Sequence, residues 1–166
     1  MSAMEFALLL PVMLLFVAGT VDISEGLTVH RKIRQISSIV VDLVAQSSKL
    51  SEGEVDTILA GAAKILEPYP NAKLSIVVSV LDVKNKKKQK VAWSVGYKGT
   101  ALTKGAEVDV PVDITAKNVQ LIQAEVKYSF TTMFSSYLAS LMGRDGYSLE
   151  DVMYQRPRVS DTVELS

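Results

Sequence analysis

Residues 1–21, MSAMEFALLLPVMLLFVAGTV, form an apolar stretch that carries a single carboxylate near its front. The uninterrupted apolar run covers residues 6–21, and Glu5 stands immediately before it. As a helix the run spans roughly 24 Å, and residues 1–4 bring the stretch to about the 20 residues that cross a bilayer. A carboxylate costs about 2.5–3.5 kcal/mol at the centre of a membrane helix and less near the interface. We therefore expect a membrane-spanning helix in which Glu5 has a function.

The stretch differs from a secretory signal peptide, because no lysine or arginine precedes it and no small-residue cleavage site follows it. Pro11 lies inside the run, where a membrane helix tolerates it better than a soluble helix does. Two interpretations of Pro11 and Gly19 are open. Either they allow the helix to kink when the subunit leaves the bilayer, or they are the Pro and Gly residues that are common in membrane helices without a special role. The residues expected to form the span are Phe6, Leu9, Pro11, Leu14, Phe16 and Gly19.

Composition excludes several classes of function. The 166 residues contain 18 Lys and Arg against 18 Asp and Glu, so the chain lacks the basic excess of a nucleic-acid-binding protein. There are no cysteines and one histidine, His30. Disulfides, thiolate sites and iron–sulfur clusters are therefore excluded, and a His-rich metal site is excluded too. We expect no metal and no cofactor.

Beyond the apolar run, the pattern predicts that the same helix continues to about residue 47. Apolar residues recur at helical spacings of four and three, at Val29, Ile33, Ile36, Val40 and Leu43. The alternative is two helices with a break near Gly19 or Gly26.

The remainder of the chain predicts a small mixed domain. Ser51 and Glu54 form a capping-box pattern before a helix over residues 52–66. The other predicted elements are strands over residues 73–83, 91–98 and 120–130, a helix over 132–142, a short edge strand within 148–157, a mostly irregular segment over 99–113 and a frayed end over 159–166. The first two strands are expected to pair as a hairpin.

These elements predict an α+β fold, with the long N-terminal helix packed on an antiparallel sheet of three or four strands and one or two extra helices. The expected organisation is a transmembrane segment at residues 1–22, an amphipathic continuation of the same helix at 23–48, and an α+β globular pilin-like domain at 49–166.

Residues 3–19, AMEFALLLPVMLLFVAG, resemble the start of the TadE-like minor pilins, or pseudopilins, of tight-adherence (Tad, or Flp-type) pili. The shared elements are Glu5, Phe6, Ala7, Pro11 and Gly19. Looser similarities follow at Trp93-Ser94, at Val126, Tyr128 and Phe130, and at Pro157-Arg158.

The resemblance implies processing and a role for Glu5. In type IV pilins a prepilin peptidase removes a basic leader that ends in Gly, and the mature chain carries Glu at its fifth position. We expect this sequence to be the mature form, with Met1 as the first residue. Glu5 would then pair with the α-amino group of Met1 on the neighbouring subunit and select the stagger between subunits. The alternative is that Glu5 lies among headgroups without a specific partner.

The positive-inside rule read literally would place Arg31, Lys32 and Arg34 in the cytoplasm, whereas a removed basic leader would reverse that orientation.

Two groups of charges are candidates for a partner surface, namely Lys86, Lys87 and Lys88, and Arg156 and Arg158. The lysines also suit a solvated hairpin turn beside a hydrophobic strand, and the arginines suit an edge strand protected against sheet-to-sheet pairing. Trp93, Tyr97 and Tyr128 are expected to be core residues of the sheet rather than an adhesive patch.

No motif for catalysis is present: there is no Gly-rich phosphate loop, no HExxH and no G-x-S-x-G. We therefore expect a non-enzymatic minor pilin that initiates, primes or caps a Tad pilus. Its expected location is the inner membrane with an extracytoplasmic domain, and the pilus after assembly. The implied partners are the major Flp pilin, other minor pilins, the prepilin peptidase and the inner-membrane assembly platform. The alternative is a membrane-anchored periplasmic binding or adaptor module outside any filament.

Overall fold

The protein is described by a computed structural model that covers residues 3–83, 89–111, 119–131 and 147–166. Helix α1 (Ala3–Ala45) is continuous over 43 residues, which corresponds to roughly 65 Å. Pro11 lies inside this helix, and neither Gly19 nor Gly26 interrupts it. The prediction of one long helix is confirmed. Three expected features lie outside the described residues: Met1, the lysines at 86–88 and the predicted helix over 132–142.

Strand β1 (Lys49–Leu50) and helix α2 (Glu52–Ala63) follow, and the capping box predicted at the start of α2 is confirmed. The Ser51 hydroxyl accepts a hydrogen bond from the Glu54 backbone N–H, while the Glu54 carboxylate accepts one from the Ser51 N–H at 2.8 Å. A 3-10 turn, Lys64–Leu66, extends α2 almost to Pro68.

The main sheet has five antiparallel strands in the order β4-β3-β2-β5-β6, one more than the largest number expected. They are β2 (Leu74–Asp82), β3 (Gln89–Tyr97), β4 (Glu107–Val108), β5 (Gln120–Phe130) and β6 (Tyr147–Gln155). The pairing of β2 with β3, the extent of β5 and the edge position of β6 agree with the sequence analysis. Strand β4 was not expected, because two residues are too short to show an alternating pattern.

The C-terminal segment corrects a prediction: it is ordered rather than frayed. Strand β7 (Glu164–Leu165) pairs in parallel with β1. Val163 is 1% exposed, and its backbone N–H donates to the Gln120 side-chain oxygen at 2.7 Å. Burial of Val163 outweighs the polar composition around it, which is why the sequence alone indicated a loose end.

Helices α1 and α2 cover one face of the sheet, and the main core lies between them. The α1 side of this core consists of Val29, Ile33, Ile36, Val40, Val41, Val44 and Ala45. The expectation for Leu43 was wrong, because its side chain is 41% exposed. Residues 29, 36 and 43 are spaced by seven, and such a series drifts about 20° per step around a straight helix. By its third member the series has left the buried face.

Candidate functional site: the apolar half of the first helix and its junction with the domain

The first half of α1 presents its apolar side chains to the outside. The most hydrophobic stretch of α1 contains no buried residue. Among the described residues, α1 is the one helix long and apolar enough to cross a membrane. Phe6, Leu9, Leu14 and Phe16 are all exposed, with Phe16 at 74%. A contiguous apolar surface of this size needs a lipid or protein environment. The helix is therefore compatible with membrane anchoring.

Glu5 lies in the first turn of α1 and its side chain is exposed. The unpaired N–H groups at a helix N-terminus favour a nearby carboxylate, which stabilises Glu5 there. The structure thus places the carboxylate at the N-terminal end of the apolar surface. Its expected partner, the α-amino group of Met1 on a neighbouring subunit, lies outside the described residues, so that pairing stays a prediction.

At the other end of the apolar surface, α1 meets the sheet through a glycine. A Cβ placed on Gly26 would lie 3.7 Å from Cζ of Phe130, an ordinary van der Waals distance, so the ring of Phe130 lies beside this turn of the helix. Phe130 also stacks on Tyr128 at 6.1 Å and packs against Tyr147 at 5.8 Å between ring centroids. These aromatic residues form the junction between the apolar helix and the domain.

The junction surrounds a largely apolar cavity of about 450 Å³. Ile23 and Leu27 line it from α1, and Tyr147 and Leu149 line it from the sheet. Asp22 and His30 contribute its polar groups.

Tyr128 carries the main electrostatic change at this junction. Burial raises the pKa of its hydroxyl, and nearby Tyr69 and Glu25 act in the same direction. The hydroxyl therefore stays protonated, and it donates a hydrogen bond to the backbone oxygen of Pro70 at 3.0 Å.

Lys32 ties α1 to the end of α2. Its ammonium group donates to the backbone oxygens of Ile65 and Glu67, each at 2.8 Å. Carbonyl groups at the end of a helix lack partners within the helix and attract a cation. Lys32 is therefore occupied in holding the domain to the helix.

Further along α1, polar side chains hold β6 and the C-terminal tail. The Ser37 hydroxyl donates a hydrogen bond to the Asp151 carboxylate. Nε of Arg34 lies 3.9 Å from Oδ1 of the same carboxylate. Arg158 lies 2.9 Å from Asp42, and its backbone N–H donates to Ala45 at 2.9 Å. Sequence reasoning missed these contacts, because they join positions more than a hundred residues apart.

Of the charges expected to form a partner surface, the lysines at 86–88 lie outside the described residues, so that surface stays a prediction. Arg156 and Arg158 are both exposed beyond β6, and Arg158 is engaged with Asp42. Trp93 and Tyr128 belong to the core, as expected, with Tyr97 packed against it. Within the described part of the chain, no three His, Asp or Glu residues are grouped so as to hold a metal ion.

Residues 1–34 match the family model described as TadE-like protein. The match covers the apolar half of α1, the junction at Gly26 and Lys32. Over this segment the chain is similar to TadE-like proteins. No curated protein and no solved structure matches the chain.

Proposed function

We propose that this protein is a minor pilin of a Tad pilus, a non-enzymatic subunit that primes, initiates or caps the filament. The observation that carries the proposal is the arrangement of α1. Its first half exposes apolar side chains behind the carboxylate of Glu5, while its second half is the spine of a folded domain. The TadE-like match over residues 1–34 supports the association with Tad pili.

The arrangement suits a subunit that passes from a membrane into a filament. In the membrane, lipid would cover the exposed apolar side chains of α1. In a filament, the same surface would pack against the corresponding helices of neighbouring subunits, with the sheet domain outside. Both environments would cover the same exposed apolar surface of α1, which lies outside the core of the domain.

Glu5 would set the position of each subunit relative to the next. A carboxylate carried into an apolar helix bundle needs a cationic partner, because an unpaired charge there is costly. A neighbouring helix that offers the cation at one height only would be accepted at one stagger only. This gives Glu5 a role in assembly that plain anchoring does not require.

The proposed location is the inner membrane, with the domain on the extracytoplasmic side before assembly. The proposed partners are the major Flp pilin, other minor pilins, the prepilin peptidase and the assembly platform.

The test is deletion and complementation in the native host, combined with analysis of sheared and purified pili. The proposal expects few or no pili after deletion, restoration by the full-length gene, and the protein itself in complemented pilus preparations. Normal pili in the deletion strain, together with a protein that stays in the membrane fraction of the complemented strain, would favour the membrane-anchored periplasmic adaptor instead.

A further inference from the structure

The length of the apolar run is shorter than the membrane it would cross. Residues 6–21 extend roughly 24 Å as a helix, whereas the hydrocarbon core of a bilayer is about 30 Å thick. The difference of about 6 Å corresponds to about four more residues of α1. If one boundary of the hydrocarbon core lies at Glu5, so that residues 1–4 fall outside the core instead of completing the span, the other boundary falls near residues 25–27, at the level of the junction.

The side chains of α1 at this level are sorted to match. Ile23 and Leu27 are 67% and 54% exposed, so the apolar surface of the span continues beyond residue 21. Asp22 and Glu25 are both half-buried. Asp22 lines the cavity together with His30, so polar groups meet the apolar surface at this level.

The sheet contributes to the same level. Phe130 and Gly26 both line the cavity, and the ring of Tyr147 lies 5.8 Å from that of Phe130. Tyr147 is 54% exposed, although tyrosine rings are largely apolar. Tyrosine is enriched where membranes meet water, because its ring suits the acyl chains and its hydroxyl suits the headgroups.

We infer that Ile23, Leu27, Tyr147 and Leu149, here called the lower rim, dock on the surface of the membrane that α1 spans. The occupant of the cavity between them is the part of a phospholipid acyl chain that lies next to the headgroup. Lipid fits this cavity because the lower rim extends the exposed apolar surface of α1 at the height where the length of the helix places the membrane boundary. The inference rests on the proposed membrane-spanning role of α1.

The consequence is a domain seated on the bilayer rather than held above it. A subunit in the membrane would then have its domain fixed in orientation by two contacts, the span and the lower rim. Extraction into a filament would have to break the second contact as well as the first.

The test is depth-dependent fluorescence quenching of the full-length protein in phosphatidylcholine vesicles. The lipids carry bromine on their acyl chains either near the headgroup (high bromines) or near the centre of the bilayer (low bromines). The wild-type protein has one tryptophan, Trp93, which is 8% exposed within the core and supplies a constant background. A second tryptophan is introduced at Tyr147 (Tyr147→Trp), at Leu15 in the span (Leu15→Trp), or at Gly53 (Gly53→Trp).

Gly53 is a suitable distant control. It lies near the start of α2, whose far end is bound by Lys32, and a Cβ there meets nothing within 4 Å. We expect the added emission of Tyr147→Trp to be quenched more by high bromines than by low ones. The order should reverse for Leu15→Trp, and neither lipid should quench Gly53→Trp.

The two ways of failing are distinguishable. Quenching of Leu15→Trp without quenching of Tyr147→Trp would overturn the docking of the lower rim and leave the span intact. It would mean that protein, rather than lipid, covers the cavity. Absence of quenching in Leu15→Trp as well would overturn the span itself, and with it both proposals.

Discussion

The indole N–H of Trp93 donates a hydrogen bond to the backbone oxygen of Val163 at 2.8 Å. Trp93 lies in β3, and Val163 directly precedes β7, seventy residues later. Both residues are buried, at 8% and 1% exposure. The bond satisfies two polar groups that burial removes from water, and it makes the C-terminal tail part of the core.

Trp93→Phe is expected to destabilise the domain by about 1–3 kcal/mol, because the Val163 oxygen is left buried without its donor. The measurement is urea unfolding of the full-length protein in detergent micelles, followed by circular dichroism. Limited carboxypeptidase digestion under native conditions should also remove the tail faster.

Tyr97→Phe is the control, because it changes a half-buried ring in the same strand without touching Val163. If Trp93→Phe were as stable and as resistant to digestion as this control, the tail would not depend on the bond.

Lys32→Met is expected to loosen the contact between α1 and the end of α2. The change keeps an unbranched apolar side chain but removes the donor shared by the oxygens of Ile65 and Glu67. Hydrogen bonds to charged groups contribute about 1.5–3 kcal/mol, so a loss within that range is expected in urea unfolding. Arg31→Met, at the adjacent exposed position, should change stability little. Equal effects of the two variants would contradict the role of Lys32.

The capping box gives the domain a defined response to acid. The backbone and side chain of Ser51 hydrogen-bond the Glu54 carboxylate and hold its pKa below the ordinary value of 4.5. A group whose pKa is lowered by folding stabilises the fold above its unfolded value, and this contribution is lost as pH falls through the folded value.

Glu54→Gln should therefore be less stable than the wild type at neutral pH, and the difference should shrink once the pH falls below 4.5. Unfolding midpoints in urea, compared across this range, measure the effect. Glu52→Gln removes a charge from the same first turn without touching Ser51 and serves as the control. A difference that does not change with pH would count against the capping carboxylate.

Much of the fold could be predicted from local patterns in the sequence. The apolar run, the helical spacing after it and the capping box at Ser51 each depend on residues within a few turns of one another. Strand β5 could be predicted for the same reason, since its alternation extends over 11 residues.

The features that sequence reasoning missed depend on long-range contacts. Strands β4 and β7 have two residues each, and neither carries a pattern of its own. Their pairing is decided by partners elsewhere, Gln89 and Lys90 for β4 and Lys49 and Leu50 for β7. The occupation of Lys32 and Arg158 by contacts within the chain was equally invisible from the sequence.

The candidate site divides in the same way. The exposed span and Glu5 follow from the first 21 residues, because hydrophobicity and length are local properties. The junction does not, because it brings together residues far apart in the chain, such as Gly26 of α1 and Phe130 of β5. That contact depends on how the sheet sits against the helix.

Glu5→Gln distinguishes a carboxylate required for assembly from one that only accompanies anchoring. The variant is expressed in the native host in place of the wild-type gene, and the protein is measured in the membrane fraction and in sheared pili. The control is Glu52→Gln, which changes an exposed glutamate in the first turn of α2. We predict that Glu5→Gln reaches the membrane in normal amounts but is lost from pili, whereas Glu52→Gln behaves as the wild type in both fractions. Normal incorporation of Glu5→Gln into pili would contradict the account.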